Sequence, residues 1–211
     1  GPQYDRMYGE VHLSREVARQ QLGLPDDQLV IVYGATWAQT TSLRSKFEAE
    51  LQAGFAAVVG LAAGIGAHLV VSLHPHGGSK HEEYAKAMTE AKVKGLVVRG
   101  HMVHVLRAAD LLITQGPSNL CLEAAILGTP SVYLRTEGFD YATALPGRAN
   151  DYTDLPPVAQ AAYEAREDRA ALDAFVTEYN ATHAEGGVAA ERAAEAVLEI
   201  LGVTESESAH A

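Results

Sequence analysis

Five short apolar runs, each set apart from the next by a stretch of helical periodicity, constrain this chain more than any other feature. They fall at residues 29–33 (LVIVY), 68–73 (HLVVSL), 96–99 (LVVR), 111–114 (LLIT) and 130–134 (PSVYL). Rich in β-branched residues and without polar alternation, they read as strands buried on both faces. Helical patterns occupy residues 43–63, 80–91, 102–108 and 118–127 between them. Strand and helix in alternation predict an α/β fold, a Rossmann-like parallel sheet with helices on both faces. Ligands of such sheets sit beyond the C-terminal strand ends. Here those ends are GATWAQTTS (34–42), HPHGGS (74–79), RGHM (99–102), TQGPSN (114–119) and RTEGFDY (135–141).

Outside this alternation, residues 14–24 predict a capped helix with a GLPDD turn, and further helices are expected near 158–165, 168–182 and 188–201. On the last of these Glu191, Glu195 and Glu199 share one ridge, which reads as a solvated face. The tail TESESAHA is too polar to pack and is expected to be disordered, which places one domain at 1–201 and a tail at 202–211. A chain of 211 residues, 47 % hydrophobic, suffices for one sizeable core. No apolar run approaches the roughly 18 residues that would cross a membrane. The start at Gly1 rather than Met is expected of a processed chain or of a piece of a longer one. One cysteine, Cys121, excludes an internal disulfide and a multi-cysteine metal site, which makes a reducing compartment, the cytoplasm, the expected address.

The net charge of −11 is unevenly placed. Residues 151–211 hold thirteen Asp/Glu against three Arg, whereas residues 72–119 hold six Lys/Arg against four Asp/Glu together with five of the nine histidines. No broad basic face exists to gain from counterion release, so nucleic acid is not an expected partner. A small anionic ligand at the middle segment is.

Two readings of residues 116–130, GPSNLCLEAAILGTP, stand side by side. In one, Ser118 or Asn119 caps a helix whose free N–H groups and dipole meet a phosphate, and Glu123, one turn further in, accepts both hydroxyls of a ribose. In the other, Ser and Asn merely cap and Glu123 is a surface residue. HPHGGSKH is a second candidate: His74 directly follows a strand, is stiffened by Pro75, and can hydrogen-bond a phosphate or move a proton. Zinc held by His74, His76 and His81 is the rival reading, without a cysteine or a helical His-x-x-x-His pair to support it. His101 and His104 flank a helix start. GATWAQTTS offers hydroxyls from Thr36, Thr40, Thr41 and Ser42 beside Trp37, but no Walker loop, no Gly-x-Gly-x-x-Gly and no Gly-x-Ser-x-Gly elbow is present. ATP hydrolysis, NAD binding and serine hydrolysis lose support accordingly.

YGATW (33–37), SLHP (72–75), ADLLIT (109–114), SNLCLEAAILGTPSVYL (118–134) and GGVAAERAAEAVLEIL (186–201) together resemble the C-terminal half of GT-B-fold enzymes. The resemblance is to CDP-glycerol glycerophosphotransferases, UDP-N-acetylglucosamine 2-epimerases and related glycosyltransferases, and it covers residues 1–201. GPQYD (1–5) is similar to the step by which such chains enter their second domain. The resemblance implies a donor-binding domain for a CDP- or UDP-linked glycerol or sugar, with no separate cofactor and no metal. It implies diphosphate at Ser118 and Asn119 behind Gly116, ribose on Glu123, the base against backbone at Gly100, His101 and Met102, and His74 contacting phosphate or assisting transfer. LRTEG (134–138) is similar to an arginine loop of the epimerases. Departures are also present: the glycerophosphotransferases carry Thr-Asp-Tyr-Ser-Ser where this chain has Thr114-Gln115-Gly116-Pro117-Ser118, and the epimerases carry Asp-Ser-Gly-Gly before paired glutamates. Epimerase activity and a non-catalytic binding module remain the alternatives to a transferase. A whole GT-B enzyme has a second, N-terminal half, so the resemblance also implies that partner half, peripheral membrane association through it, and little turnover by residues 1–211 alone.

Overall fold

In a computed structural model of the chain, the structure describes residues 4–9, 12–35, 44–74, 81–100, 102–115, 118–135, 148–149, 152–179, 183 and 186–202. Strands β1 (Val30–Gly34), β2 (His68–Leu73), β3 (Gly95–Arg99), β4 (Leu111–Gln115), β5 (Ser131–Leu134) and β6 (Arg148–Ala149) form one parallel sheet in the order β3-β2-β1-β4-β5-β6. That order is doubly wound, with its reversal point between β1 and β4. Helices α1 (Asp5–Gly9), α2 (Arg15–Leu22), α3 (Arg44–Ile65), α4 (His81–Glu90), α5 (Met102–Ala108), α6 (Leu120–Ile126), α7 (Leu155–Glu164), α8 (Arg169–Tyr179) and α9 (Ala189–Leu201) accompany it.

Residue parity along the strands divides the core. Val30, Val32, Val70, Leu112 and Tyr133 face α1, α2, α5, α6 and α8, while Ile31, Tyr33, Leu69, Val71, Ile113, Val132 and Leu134 face α3, α4 and α7. β1, β4 and β5 are buried throughout, as their apolar runs predict. β3 is not: its ends are exposed and its centre half-buried, because it is the edge strand and lacks a neighbour on one side.

Two further expectations need correcting. The helix expected from residue 158 starts at Leu155, since Pro156 and Pro157 fit the first helical turn, where no N–H bond is required. The expectation that no segment is long and apolar enough to cross a membrane fails for Glu48–Ile65 of α3, with a mean hydropathy of 1.2 over 18 residues. That hydropathy belongs to a sheet-packing helix: Leu51, Phe55, Val58, Val59 and Ala62 are buried, and Phe55 packs edge-on to Tyr84 with ring centroids 4.6 Å apart. α9 is the opposite case. Ala189 is its one buried residue, and Glu191, Glu195 and Glu199 are exposed as expected. The tail from residue 203 lies outside the described residues.

At the N-terminal end of the sheet, Asp110 joins three elements. One carboxylate oxygen accepts from the Val30 amide (2.8 Å) and from Arg19 Nη2 (2.6 Å), and the other from Arg15 Nη1 (2.8 Å). Arg19 is only 4 % exposed and also donates to the carbonyls of Ala108 and Asp26. Removing one partner of a buried pair costs about 3–5 kcal/mol because the other charge stays behind. Asp110→Ala is therefore expected to lower the melting temperature, read by circular dichroism, by on the order of 10 °C. Arg15→Ala, which removes a more exposed partner, should cost less than about 1 kcal/mol.

Glycines on α3 give a second test. A Cβ at Gly54 would lie inside the Gln115 carboxamide, whereas one at Gly60 meets nothing. Gly60→Ala should stabilise by about 0.5–1 kcal/mol and Gly54→Ala should destabilise, reversing the usual helix preference.

Candidate functional site

The C-terminal ends of β1 and β4 bracket the reversal point, and α6 starts there. A Cβ on Gly34 would come within 2.6 Å of Leu120 Cδ1 and 3.2 Å of Thr114 Cγ2, so glycine at the end of β1 lets the first residue of α6 lie against the strand. Thr114 Oγ1 and Cys121 Sγ, 3.2 Å apart, tie β4 to the same turn, and burial pushes the Cys121 thiol up. The opposite end of α6 is held by two guanidinium groups. Arg107 Nη1 donates to the Leu127 carbonyl, and Arg169 donates to those of Ala125 (3.0 Å) and Ile126 (3.2 Å). Cations at a helix C-terminus satisfy its orphan carbonyls and complement the dipole.

Capping at the front of α6 falls to Ser118, whose Oγ accepts from the Leu120 amide at 3.2 Å. Asn119 has helical dihedrals and makes no side-chain cap; its carbonyl instead accepts from the Leu122 (3.0 Å) and Glu123 (3.1 Å) amides. Among the amides from Leu120 to Glu123, only that of Cys121 has no described acceptor. The N–H set expected to meet a phosphate is thus largely committed within the turn itself.

Glu123 departs from the reading that makes it a surface residue. It is half-buried, and among the described residues no hydrogen bond or ion pair reaches its carboxylate. Burial pushes its carboxyl above the ordinary range, with the positive charge of Arg6 pulling it partly back. A desolvated acceptor without a donor carries an energetic cost that a ligand hydroxyl can relieve.

The remaining expected residues are less concentrated. His74 is half-buried at the end of β2, with β1 between it and the β4–α6 turn, a lateral separation of about 10 Å. Its carbonyl accepts from Arg99 Nη1 at 3.1 Å. Gly100 is exposed with φ +80°, where a residue with a Cβ would be strained. Met102 is a packing residue as much as a lining one, since its sulfur accepts from Ser72 Oγ at 3.2 Å and its side chain lies against the core. His101, Gly116 and His76 lie outside the described residues, as do Trp37, the hydroxyls of 36–42 and most of the 135–141 loop. Among the described residues no group of three His, Cys, Asp or Glu gathers as a metal site. Arg6 is the residue that sequence reading passed over, because the five-residue α1 is too short to show a period. A groove of about 730 Å³ runs between α3 and α4, lined by Leu51, Phe55, Val59, Tyr84 and Ala87, but no strand end contributes to it.

The CDP-Glycerol:Poly(glycerophosphate) glycerophosphotransferase family matches residues 1–197. Among solved structures, the wall teichoic acid polymerase TagF is similar over 91 % of this chain and 51 % of its own, at 17 % identity and a TM-score of 0.51. WaaG, a glycosyltransferase involved in lipopolysaccharide biosynthesis, is similar over 81 % of this chain and 47 % of its own, at 19 % identity and 0.51. The catalytic domain of cholesterol-alpha-glucosyltransferase from Helicobacter pylori is similar over 71 % of this chain and 97 % of its own, at 12 % identity and 0.50. These likenesses bear out the Rossmann-like half of a GT-B fold, and the chain spans about half the length of TagF and WaaG. No curated protein sequence matches.

Glu123→Gln separates a functional acid from a structural one. Because the folded state holds the Glu123 proton to higher pH than the unfolded chain, ionisation there subtracts stability as pH rises through the folded value. The glutamine variant should therefore melt about 2–4 °C higher near neutral pH, for roughly 1 kcal/mol of relieved desolvation. The gain should vanish below the ordinary carboxylate range, where both states are protonated. Melting curves across that interval check it.

Proposed function

The chain belongs to the CDP-glycerol:poly(glycerophosphate) glycerophosphotransferase family, and on that footing we propose that it holds the nucleotide-activated donor of a glycerophosphotransferase or glycosyltransferase in cell-envelope polymer synthesis. The diphosphate lies at the Ser118–Asn119 turn behind Gly116, the ribose hydroxyls on Glu123, and the base against the Gly100–Met102 backbone with His101. His74, across β1, contacts the transferring phosphate or assists proton transfer.

One observation carries this reading: Glu123 is a desolvated carboxylate without a partner among the described residues, one turn into the helix that starts at the sheet's reversal point. A ribose diol supplies two O–H donors to two carboxylate oxygens, and such charge-assisted bonds contribute about 1.5–3 kcal/mol each.

Because the chain spans about half of TagF and WaaG, acceptor contacts and full turnover are assigned to a second half. Calorimetry of the chain against CDP, UDP, dTDP and GDP should give binding for at least one nucleotide, with CDP favoured. Glu123→Ala should weaken that binding by tenfold or more. If none of the four binds, the donor-site reading falls and a non-catalytic module takes its place. Product analysis of the full-length protein with CDP-glycerol and with UDP-N-acetylglucosamine then distinguishes transfer from epimerisation.

A further inference from the structure

We infer that Arg6, on the short helix α1, is the cation of the donor site, its guanidinium meeting the nucleotide's diphosphate while Glu123 on α6 holds the ribose. The inference rests on the donor-site reading above and adds to it the one charged group that the β4–α6 turn does not supply.

Around Arg6, the side chains of Tyr4, Asp5, Met7 and Tyr8 are engaged with the body of the protein. Tyr4 and Met7 are buried in the core cluster that also contains Cys121, Leu122 and the rest of the buried face of α6, so α1 lies along that helix. The Asp5 carboxylate accepts from the Ala189 (3.2 Å) and Ala190 (2.7 Å) amides at the start of α9. Tyr8 Oη is 2.6 Å from His183 Nδ1, and the other nitrogen of that ring is 3.1 Å from Asp173 Oδ1. Arg6 is the exposed side chain of α1, without a hydrogen bond or ion pair among the described residues. A helix fixed on both sides of one free arginine holds that arginine at a defined place.

The place is beside Glu123. Helix α1 packs against α6, and the positive charge of Arg6 acts on the Glu123 carboxyl, yet among the described residues no ion pair closes between them. Opposite charges held near but not in contact suit a ligand that offers hydroxyl donors to one and phosphate oxygens to the other. The ribose diol and 5′-diphosphate of a nucleotide meet that description. They also answer a shortage at the turn, where Ser118 Oγ and the Asn119 carbonyl have taken most of the first amides. An entering diphosphate therefore needs a side-chain cation, and a guanidinium fork fits phosphate oxygens in bidentate fashion. Arg107 and Arg169 are bound to carbonyls at the far end of α6, and Arg15 and Arg19 to Asp110 at the opposite edge of the sheet. Arg99, at the end of β3, donates to the His74 carbonyl at 3.1 Å, and Arg135, exposed at the end of β5, is the rival nearer the turn in strand order.

The test compares CDP with 2′,3′-dideoxy-CDP by calorimetry on the unsubstituted chain and on Arg6→Ala, Arg6→Lys, Arg135→Ala and Glu123→Gln. Arg6→Ala should weaken both nucleotides by about tenfold or more, with Arg6→Lys recovering part of the loss as a point charge. The melting temperature should hold, since an exposed, partnerless side chain is removed. Glu123→Gln should weaken CDP and leave the dideoxy analogue unaffected. If Arg6→Ala binds CDP like the unsubstituted chain, or if Arg135→Ala alone carries the loss, the inference is overturned and the donor-site reading stands. If Arg6→Ala loses binding together with several degrees of melting temperature, the arginine is structural and the inference is also overturned. If the unsubstituted chain binds none of CDP, UDP, dTDP and GDP, the donor-site reading itself falls.

Discussion

Asp110 sets the geometry on which the rest of the structure depends. It precedes β4, yet its carboxylate accepts from the first amide of β1, and its own amide donates to the Val30 carbonyl at 2.8 Å. The start of β4 is thereby locked to the start of β1 before the first ladder pairing, Ile31 with Leu111. Arg19 covers the charge from α2 and spends its remaining donors on loop carbonyls, so the ion pair is buried with its hydrogen bonds made. β1 and β4 are the two strands on either side of the reversal point. The ladder that starts there runs on to Gly34 and Thr114, and α6 begins at the opening beyond those C-terminal ends.

From that opening the candidate site is held at both ends of α6. Leu120 rests against Gly34, and Thr114 meets Cys121 at the front, while Arg107 and Arg169 occupy the carbonyls behind. A seven-residue helix has little stability of its own. Tertiary contacts give it a single position, and a helix so fixed can keep Glu123 half-buried and, among the described residues, unpaired. Desolvation of this kind persists only where the surrounding structure holds the group in place.

The sheet was legible because its signal is local. Apolar runs of four to six residues between helical stretches give strand identity and parallel pairing, and Ser14 and Gly23 mark the ends of α2 as capping chemistry requires. What escaped was set by distance or brevity. The edge position of β3 follows from strand order, which no single run encodes, and β6 has only two residues. Arg19 and Asp110 lie 91 residues apart without a shared motif. At the site, Glu123 could be singled out from spacing, but its burial and lack of partner could not. Asn119 and Met102 were plausible by position, yet backbone geometry gives the cap to Ser118, and the Ser72 hydroxyl engages the Met102 sulfur.

The Gln115 of TQGPSN has a physical explanation in the same terms. Where the glycerophosphotransferases resembled by this sequence carry Asp after Thr, Gln115 is fully buried and both ends of its carboxamide are used. Oε1 accepts from Tyr33 Oη at 3.1 Å, and Nε2 donates to the Glu50 carbonyl at 2.9 Å. A carboxylate could accept the tyrosine proton but could not donate to Glu50, so the neutral amide is what ties α3 to the end of β4. Gly54 completes the arrangement by leaving the space its Cβ would fill. The substitution is accounted for by packing between α3 and the sheet.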